Sequence, residues 1–236
     1  MEDYMRHAVI TGGSRGIGGA IATELDRRGW AVFLVSEHAD TLRSASSRLQ
    51  HVSGTLASDL GSGEAAAADV FNALSKSVSA VDLLVLCAGI FIEESLAQVK
   101  ESTFRRNMAV NLDANVFLAK HLLPLLRKGS KPRIIVIGST AAYEAYPLVP
   151  TYGIAKWGLR GFALNLRHEL RDDGIGVTFL SPGGTLTDMW AGEDLLPNRL
   201  LEPTDIALMV AAITELSSQA VVDEIVLRPM LGDIHE

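Results

Sequence analysis

The sequence predicts an α/β protein with a doubly wound, Rossmann-type parallel sheet. Three observations lead there. Short apolar runs alternate with longer amphipathic ones from end to end. Most of the short runs are β-branched or continuously apolar, as in strands covered on both faces. A glycine-rich turn follows the first run and opens the first amphipathic stretch.

Strands are predicted at 7–11, 31–35, 54–57, 83–87, 133–138, 176–180 and 224–228. Helices are predicted at 16–28, 39–49, 62–78, 100–127, 152–172 and 203–216, the last opened by Pro203-Thr204-Asp205. Right-handed βαβ crossovers then give about seven strands in the order 3-2-1-4-5-6-7 with helices on both faces. Residues 1–236 contain no Pro/Ser/Gly linker, low-complexity tract or internal repeat, so a single domain is expected. Ligands should bind beyond the carboxyl ends of the strands, near the switch between the first and fourth.

Composition narrows the partners. Hydrophobic residues make up 48% and charged residues 21%, enough for a packed core. The net charge of −7, with no basic run longer than Arg27-Arg28 or Arg105-Arg106, argues against nucleic acid. Cys87 is the sole cysteine, which excludes internal disulfides and suits a reducing compartment. The apolar stretch 83–92 contains Gly89 and falls short of the ~20 residues that span a bilayer. No secretory pattern precedes the first strand, so no membrane association and a cytoplasmic location are expected.

Thr11-Gly12-Gly13-Ser14-Arg15-Gly16-Ile17-Gly18 joins the first strand to the first helix. Glycines let backbone approach a pyrophosphate, and a helix N-terminus offers N–H groups and a positive dipole end. A Gly-Lys-Ser/Thr signature for a nucleoside triphosphate is missing. The alternative is a glycine-rich turn without a ligand.

Tyr152 precedes Lys156 by one helical turn, so both side chains leave the same helix face. A phenol, with a reference pKa of about 10, is a poor acid–base group near neutrality, and a neighbouring ammonium favours its ionised form. No other tyrosine of the chain has lysine at that spacing. The alternative is a helix-surface pair.

These residues resemble the short-chain dehydrogenases/reductases. TGGSRGIG is similar to their TGxxxGxG turn, and Tyr152 with Lys156 to their YxxxK pair. The resemblance implies hydride transfer between a nicotinamide and a carbonyl or alcohol, in an enzyme of the class acting on CH–OH donors. By the same resemblance Gly12, Gly16 and Gly18 are the three glycines, with Ser14, Arg15 and Ile17 lining the cofactor. Ser139, 13 residues before Tyr152, holds the substrate oxygen. Asn111, in Val-Asn-Leu, supports through its amide a water linked to Lys156; Asn107 and Asn115 are the competing candidates. Asp59-Leu60 holds the adenine, although Asp59 also reads as a helix cap. Cys87-Ala88-Gly89 stands where the family has Asn-Ala-Gly, so Cys87 removes an amide that ties neighbouring strands, and a buried structural thiol is expected. Ser181-Pro182-Gly183-Gly184-Thr185-Leu186-Thr187 resembles Pro-Gly-x-Val-x-Thr, with Pro182, Gly183, Thr185 and Thr187 at the nicotinamide.

The implied cofactor is NADP or NAD. Glu37 could accept ribose hydroxyls, as in NAD users, whereas Arg15 could pair with a 2′-phosphate. The position that carries Asp in NAD-using members falls on Ser36, which tips the expectation to NADP. Residues 186–201 are expected to cover the substrate, with Leu186, Met189, Trp190, Leu195 and Leu196 among Asp188, Glu193 and Asp194. Tyr143, Tyr146 and Leu148 are expected opposite. No Arg or Lys occurs there before Arg199, which disfavours an anionic substrate. The resemblance further implies a dimer or tetramer, with Leu118, Leu122, Leu126, Phe162 and Leu166 offered as contact surface. No metal site is expected. The competing class is a nucleotide-binding sensor of the same fold, which has no need of Ser139, Tyr152 and Lys156 together.

Overall fold

Seven parallel strands alternate with helices in the computed structural model, which describes residues 4–190 and 198–233. The strands are β1 (His7–Thr11), β2 (Ala31–Ser36), β3 (Val52–Ala57), β4 (Leu83–Leu86), β5 (Arg133–Ile137), β6 (Gly176–Pro182) and β7 (Glu224–Leu227). Their order is β3-β2-β1-β4-β5-β6-β7, as the sequence predicts. The helices are α1 (Gly16–Arg27), α2 (Ala39–Ser46), α3 (Glu64–Leu74), α4 (Glu101–Met108), α5 (Ala114–Leu126), α6 (Pro150–Glu169) and α7 (Pro203–Glu215).

Alternation along each strand divides the interior into two layers. Val9, Leu84, Leu86, Ile134 and Val136 point to the layer built with α3, α5 and α6. Ala8, Ile10, Leu83, Val85 and Ile135 point to the layer built with α1, α2 and α7. β1 pairs with both β2 and β4, so the chain switches direction across the sheet beside the end of β1.

Boundaries shift where local chemistry outweighs periodicity. Gly63 has φ 68°, so the expected helix from Ser62 becomes a tight turn at Leu60–Ser62 and starts again at Glu64. The catalytic-helix candidate begins at Pro150, two residues early, because proline suits a first helical turn. The expected single helix 100–127 is interrupted by a wider π turn over Ala109–Asp113, which holds Asn111.

The expected contact surface needs correction. Leu118, Leu122 and Leu126 are buried in the chain's own core and cannot serve as contact surface, whereas Phe162 and Leu166 pack against that core and stay partly exposed. Ile154 and Trp157 are instead the exposed apolar side chains of α6. No helix of the described residues is long and apolar enough to cross a membrane.

Candidate active site

A cleft of about 660 Å³ opens above the carboxyl ends of the strands, beside the switch between β1 and β4. Its floor begins at the glycine turn. Gly12 and Gly16 take left-handed φ values of 66° and 53°. A Cβ on Gly18 would stand 2.3 Å from the Gly12 carbonyl oxygen, so the turn closes this tightly only with glycine there. Arg15 precedes α1 and gives its N-terminus no side-chain cap, which leaves the leading N–H groups uncovered by that residue. Such a cradle fits a pyrophosphate. The Ser14 and Ser36 hydroxyls lie 2.9 Å apart and tie the turn to the end of β2.

At the β2–β3 end the charges settle against one another. Arg106, from α4, reaches the two oxygens of Asp59 at 2.6 and 2.8 Å and Glu37 at 3.5 Å. Its guanidinium holds the Asp59 carboxyl below its ordinary pKa. Asp59 also accepts from the Gly61 N–H at 2.9 Å, so its capping role and its place on the cleft coexist. Leu60 lies beside it on the cleft wall. Arg15 bonds Asp188 at 2.8 Å and joins the glycine turn to the segment after β6.

Beneath the cleft, the fully buried Thr11 ties the end of β1 to the end of β4. Its hydroxyl accepts from the N–H groups of Cys87 and Ala88 at 2.9 and 3.1 Å and donates to the Val85 carbonyl at 3.3 Å. Burial pushes the Cys87 thiol pKa up to about 12, in keeping with an inert thiol. Gly89 is approached closely: a Cβ there would stand 2.8 Å from Asn111 Oδ1 and 3.8 Å from Lys156 Nζ.

Lys156 is 5% exposed, with Nζ 3.4 Å from the Ile137 carbonyl and 5.5 Å from the centre of the Tyr152 ring. The edge of Phe91 meets that ring at 5.1 Å and 76°. Ser139 follows β5, and its hydroxyl accepts from the Ala141 N–H at 3.1 Å, so it caps a turn as well as lining the cleft. Asn111 donates both amide protons within the protein, to the Ile90 carbonyl and to Asn107 Oδ1, while its Oδ1 accepts from the Ile90 N–H. The water link expected of this amide therefore narrows to its oxygen.

Ser139, Tyr152, Lys156 and Asn111 thus border one cleft with the glycine turn, Ser36, Glu37, Cys87, Ala88 and Gly89. Pro182, Gly183, Thr185 and Thr187 border it from the β6 side. The Thr185 hydroxyl donates to the Gly183 carbonyl at 3.0 Å, and the Thr187 hydroxyl lies 3.4 Å from the Met189 N–H. Tyr146, Leu148, Met189 and Trp190 also border the cleft, and Leu148 takes a left-handed φ of 59°. Glu193, Asp194, Leu195 and Leu196 fall outside the described residues.

Tyr143 is a correction. Its hydroxyl donates to Glu224 at 3.1 Å, the Arg160 guanidinium lies 4.1 Å over its ring, and it does not border the cleft. Among the lining residues that sequence reasoning missed are Arg106, Phe91 and Asp233. Arg106 was visible only as half of a basic pair, and Phe91 could have been inferred from its place just after Ala88-Gly89. Asp233 carries no local signal.

A family model described as short chain dehydrogenase matches residues 6–195. Sepiapterin reductase of Chlorobaculum tepidum is 31% identical over 98% of this chain and 100% of its own. Two solved structures align closely. The RhlG/NADP active-site complex of Pseudomonas aeruginosa has TM-score 0.89 and 26% identity, covering 95% of each chain. The alcohol dehydrogenase of the archaeon Thermococcus sibiricus, complexed with 5-hydroxy-NADP, has TM-score 0.88 and 27% identity, covering 96% of this chain and 97% of that one.

Proposed function

The chain belongs to the short-chain dehydrogenase family, and from that premise we propose an NADP(H)-dependent reductase of neutral carbonyl compounds, reversible toward the alcohols. The observation that carries this reading is the convergence of Ser139, Tyr152 and Lys156 on the cleft that the glycine turn floors.

NADPH, when bound, supplies the hydride. The α1 N-terminus and the Gly12–Gly18 turn would receive its pyrophosphate, and Cys87, Ala88, Gly89, Pro182, Gly183, Thr185 and Thr187 would border the nicotinamide. Preference for the 2′-phosphate is supported by Arg15 at the glycine turn, by Ser36 in place of a repelling carboxylate, and by Arg106 countering Glu37. Both solved relatives described above hold NADP or an analogue of it.

Ser139 would donate to the substrate oxygen and orient it toward the Tyr152 phenol, which gives its proton as the oxygen gains charge. The buried Lys156 ammonium stabilises the phenolic oxygen while that proton is away. Asn111, close to Lys156 across Gly89, would hold a water that returns a proton from solvent. In the alcohol-oxidising direction Tyr152 takes the proton instead. Tyr146, Met189 and Trp190 would contact the substrate, with 186–201 as its cover within a single 1–236 domain.

Arg199 is engaged by the carbonyls of Gly232 and Asp233, which favours a neutral substrate over an anionic one. The sole cysteine suits a cytoplasmic enzyme. Exposed Ile154 and Trp157 on α6 would serve a homo-oligomer, and a 25.3 kDa particle by light scattering would overturn that assembly.

NADPH fluorescence tests the function. Binding should alter the emission, and a panel of aliphatic and aromatic ketones should then discharge it. Binding without discharge across the panel would indicate a sensor instead.

A further inference from the structure

Asp233 lies beyond β7, borders the cleft, and is only 3% exposed. A buried carboxylate must be paired and hydrogen-bonded to be tolerated, and an apolar side chain would fill the same space with less desolvation. Here the carboxylate gathers three separate segments. Oδ2 accepts from the Tyr146 hydroxyl at 2.6 Å and pairs with Arg228. Oδ1 lies 3.4 Å from the Gly184 N–H. The Tyr146 hydroxyl is also 2.9 Å from that of Thr140, the residue next to Ser139.

The approach is enforced from both sides. A Cβ on Gly183 would stand 2.3 Å from Asp233 Oδ1, so the turn after β6 meets this carboxylate only as glycine. Arg199 fixes the backbone of the segment, donating to the Gly232 and Asp233 carbonyls at 2.6 and 2.9 Å. The serine side and the Gly183-Gly184 side of the cleft are therefore joined through one carboxylate far away in sequence.

We propose that Asp233 is a positioning residue for the carbonyl substrate: through Tyr146 and Gly184 it sets the gap between the Ser139 wall and the turn after β6. This rests on the reductase reading above. Losing the latch should loosen substrate placement while leaving the glycine turn and Lys156 intact.

The test compares the parent protein with Asp233→Asn, Tyr146→Phe and the double variant, using NADPH and 9,10-phenanthrenequinone as the probe carbonyl. Each single variant should raise KM for the quinone about tenfold, with kcat within about twofold and NADPH affinity unchanged. The double variant should be no worse than the more impaired single one, because Asp233→Asn weakens, by making the acceptor neutral, the same Tyr146 hydrogen bond that Tyr146→Phe removes. Tyr146→Phe keeps the Arg228 pair, so it decides the matter should Asp233→Asn fail to fold. Unchanged KM, additive effects, or KM and NADPH affinity worsening together would overturn the proposal.

Hydrogen exchange provides a readout that needs no turnover. Both 139–146 and 183–184 should exchange faster in Tyr146→Phe, and unchanged exchange in either segment would overturn the latch. A parent protein that binds NADPH but leaves the quinone untouched counts against the reductase reading, and the exchange result then judges Asp233 alone.

Discussion

Asn111 donates an amide proton to Asn107 Oδ1 across 2.7 Å, and Asn107 in turn donates to the Thr151 hydroxyl at 3.0 Å. The π turn that carries Asn111 is thereby fastened to the first turn of α6, one residue before Tyr152. Asn107 is fully buried, so its removal strands polar partners away from water. Asn107→Ala should cost about 1–3 kcal/mol in denaturant unfolding. It should also lower kcat more than NADPH affinity, as the distance between Asn111 and the Tyr152 helix relaxes. Steady-state kinetics beside the unfolding curve checks both.

Cofactor choice should turn on Arg15. Its exposed ion pair with Asp188 contributes little by itself, so a phosphate can take over the guanidinium readily. Arg15→Ala should raise KM for NADPH about tenfold and leave KM for NADH nearly unchanged, since only the former has a 2′-phosphate to lose. Equal changes for both cofactors would place Arg15 elsewhere in binding.

The lone thiol should resist alkylation. With the Cys87 pKa near 12, only about one molecule in ten thousand is thiolate at pH 8. Iodoacetamide followed by intact-mass measurement should leave folded protein unlabelled and label it once denatured.

Stability should fall on mild acidification because of His7. Its Nδ1 is buried with no hydrogen-bond partner among the described residues, and burial lowers its pKa from 6.5, outweighing the opposite pull of Asp82. The unfolded chain then takes up a proton that the folded one refuses. His7 imposes no penalty above pH 6.5, and stability is lost as pH falls from there to the lowered folded value. The slope is at most about 1.4 kcal/mol per pH unit for one proton. Urea unfolding at several pH values should show it, and His7→Gln should flatten it.

What the sequence disclosed follows from which forces act locally. Strand order could be read because fully covered strands are continuously apolar and the crossovers have one hand. The glycine turn and the Tyr152/Lys156 pair could be read because backbone close approach and one-turn spacing leave marks within a few residues, whereas Ser139, 13 residues upstream, is assigned through the family resemblance. The π turn at Ala109–Asp113 could not, since it depends on where the Asn111 amide finds Ile90. Leu118, Leu122 and Leu126 look alike as core or as contact surface until the sheet is placed beside them. Tyr143 and Tyr146 sit three residues apart, yet Glu224 draws one away from the cleft and Asp233 holds the other against it. Arg106 and Asp233 matter through partners 47 and 87 residues distant, a separation that no local pattern records.

The most direct measurement is hydride transfer from NADPH to a reducible ketone by Tyr152→Phe, followed by cofactor absorbance beside the parent protein. The phenol is the proposed proton donor and its ring packs unchanged as Phe. Turnover should drop by about 10²–10⁴-fold with NADPH binding retained. Parent-like turnover in Tyr152→Phe would contradict the assignment.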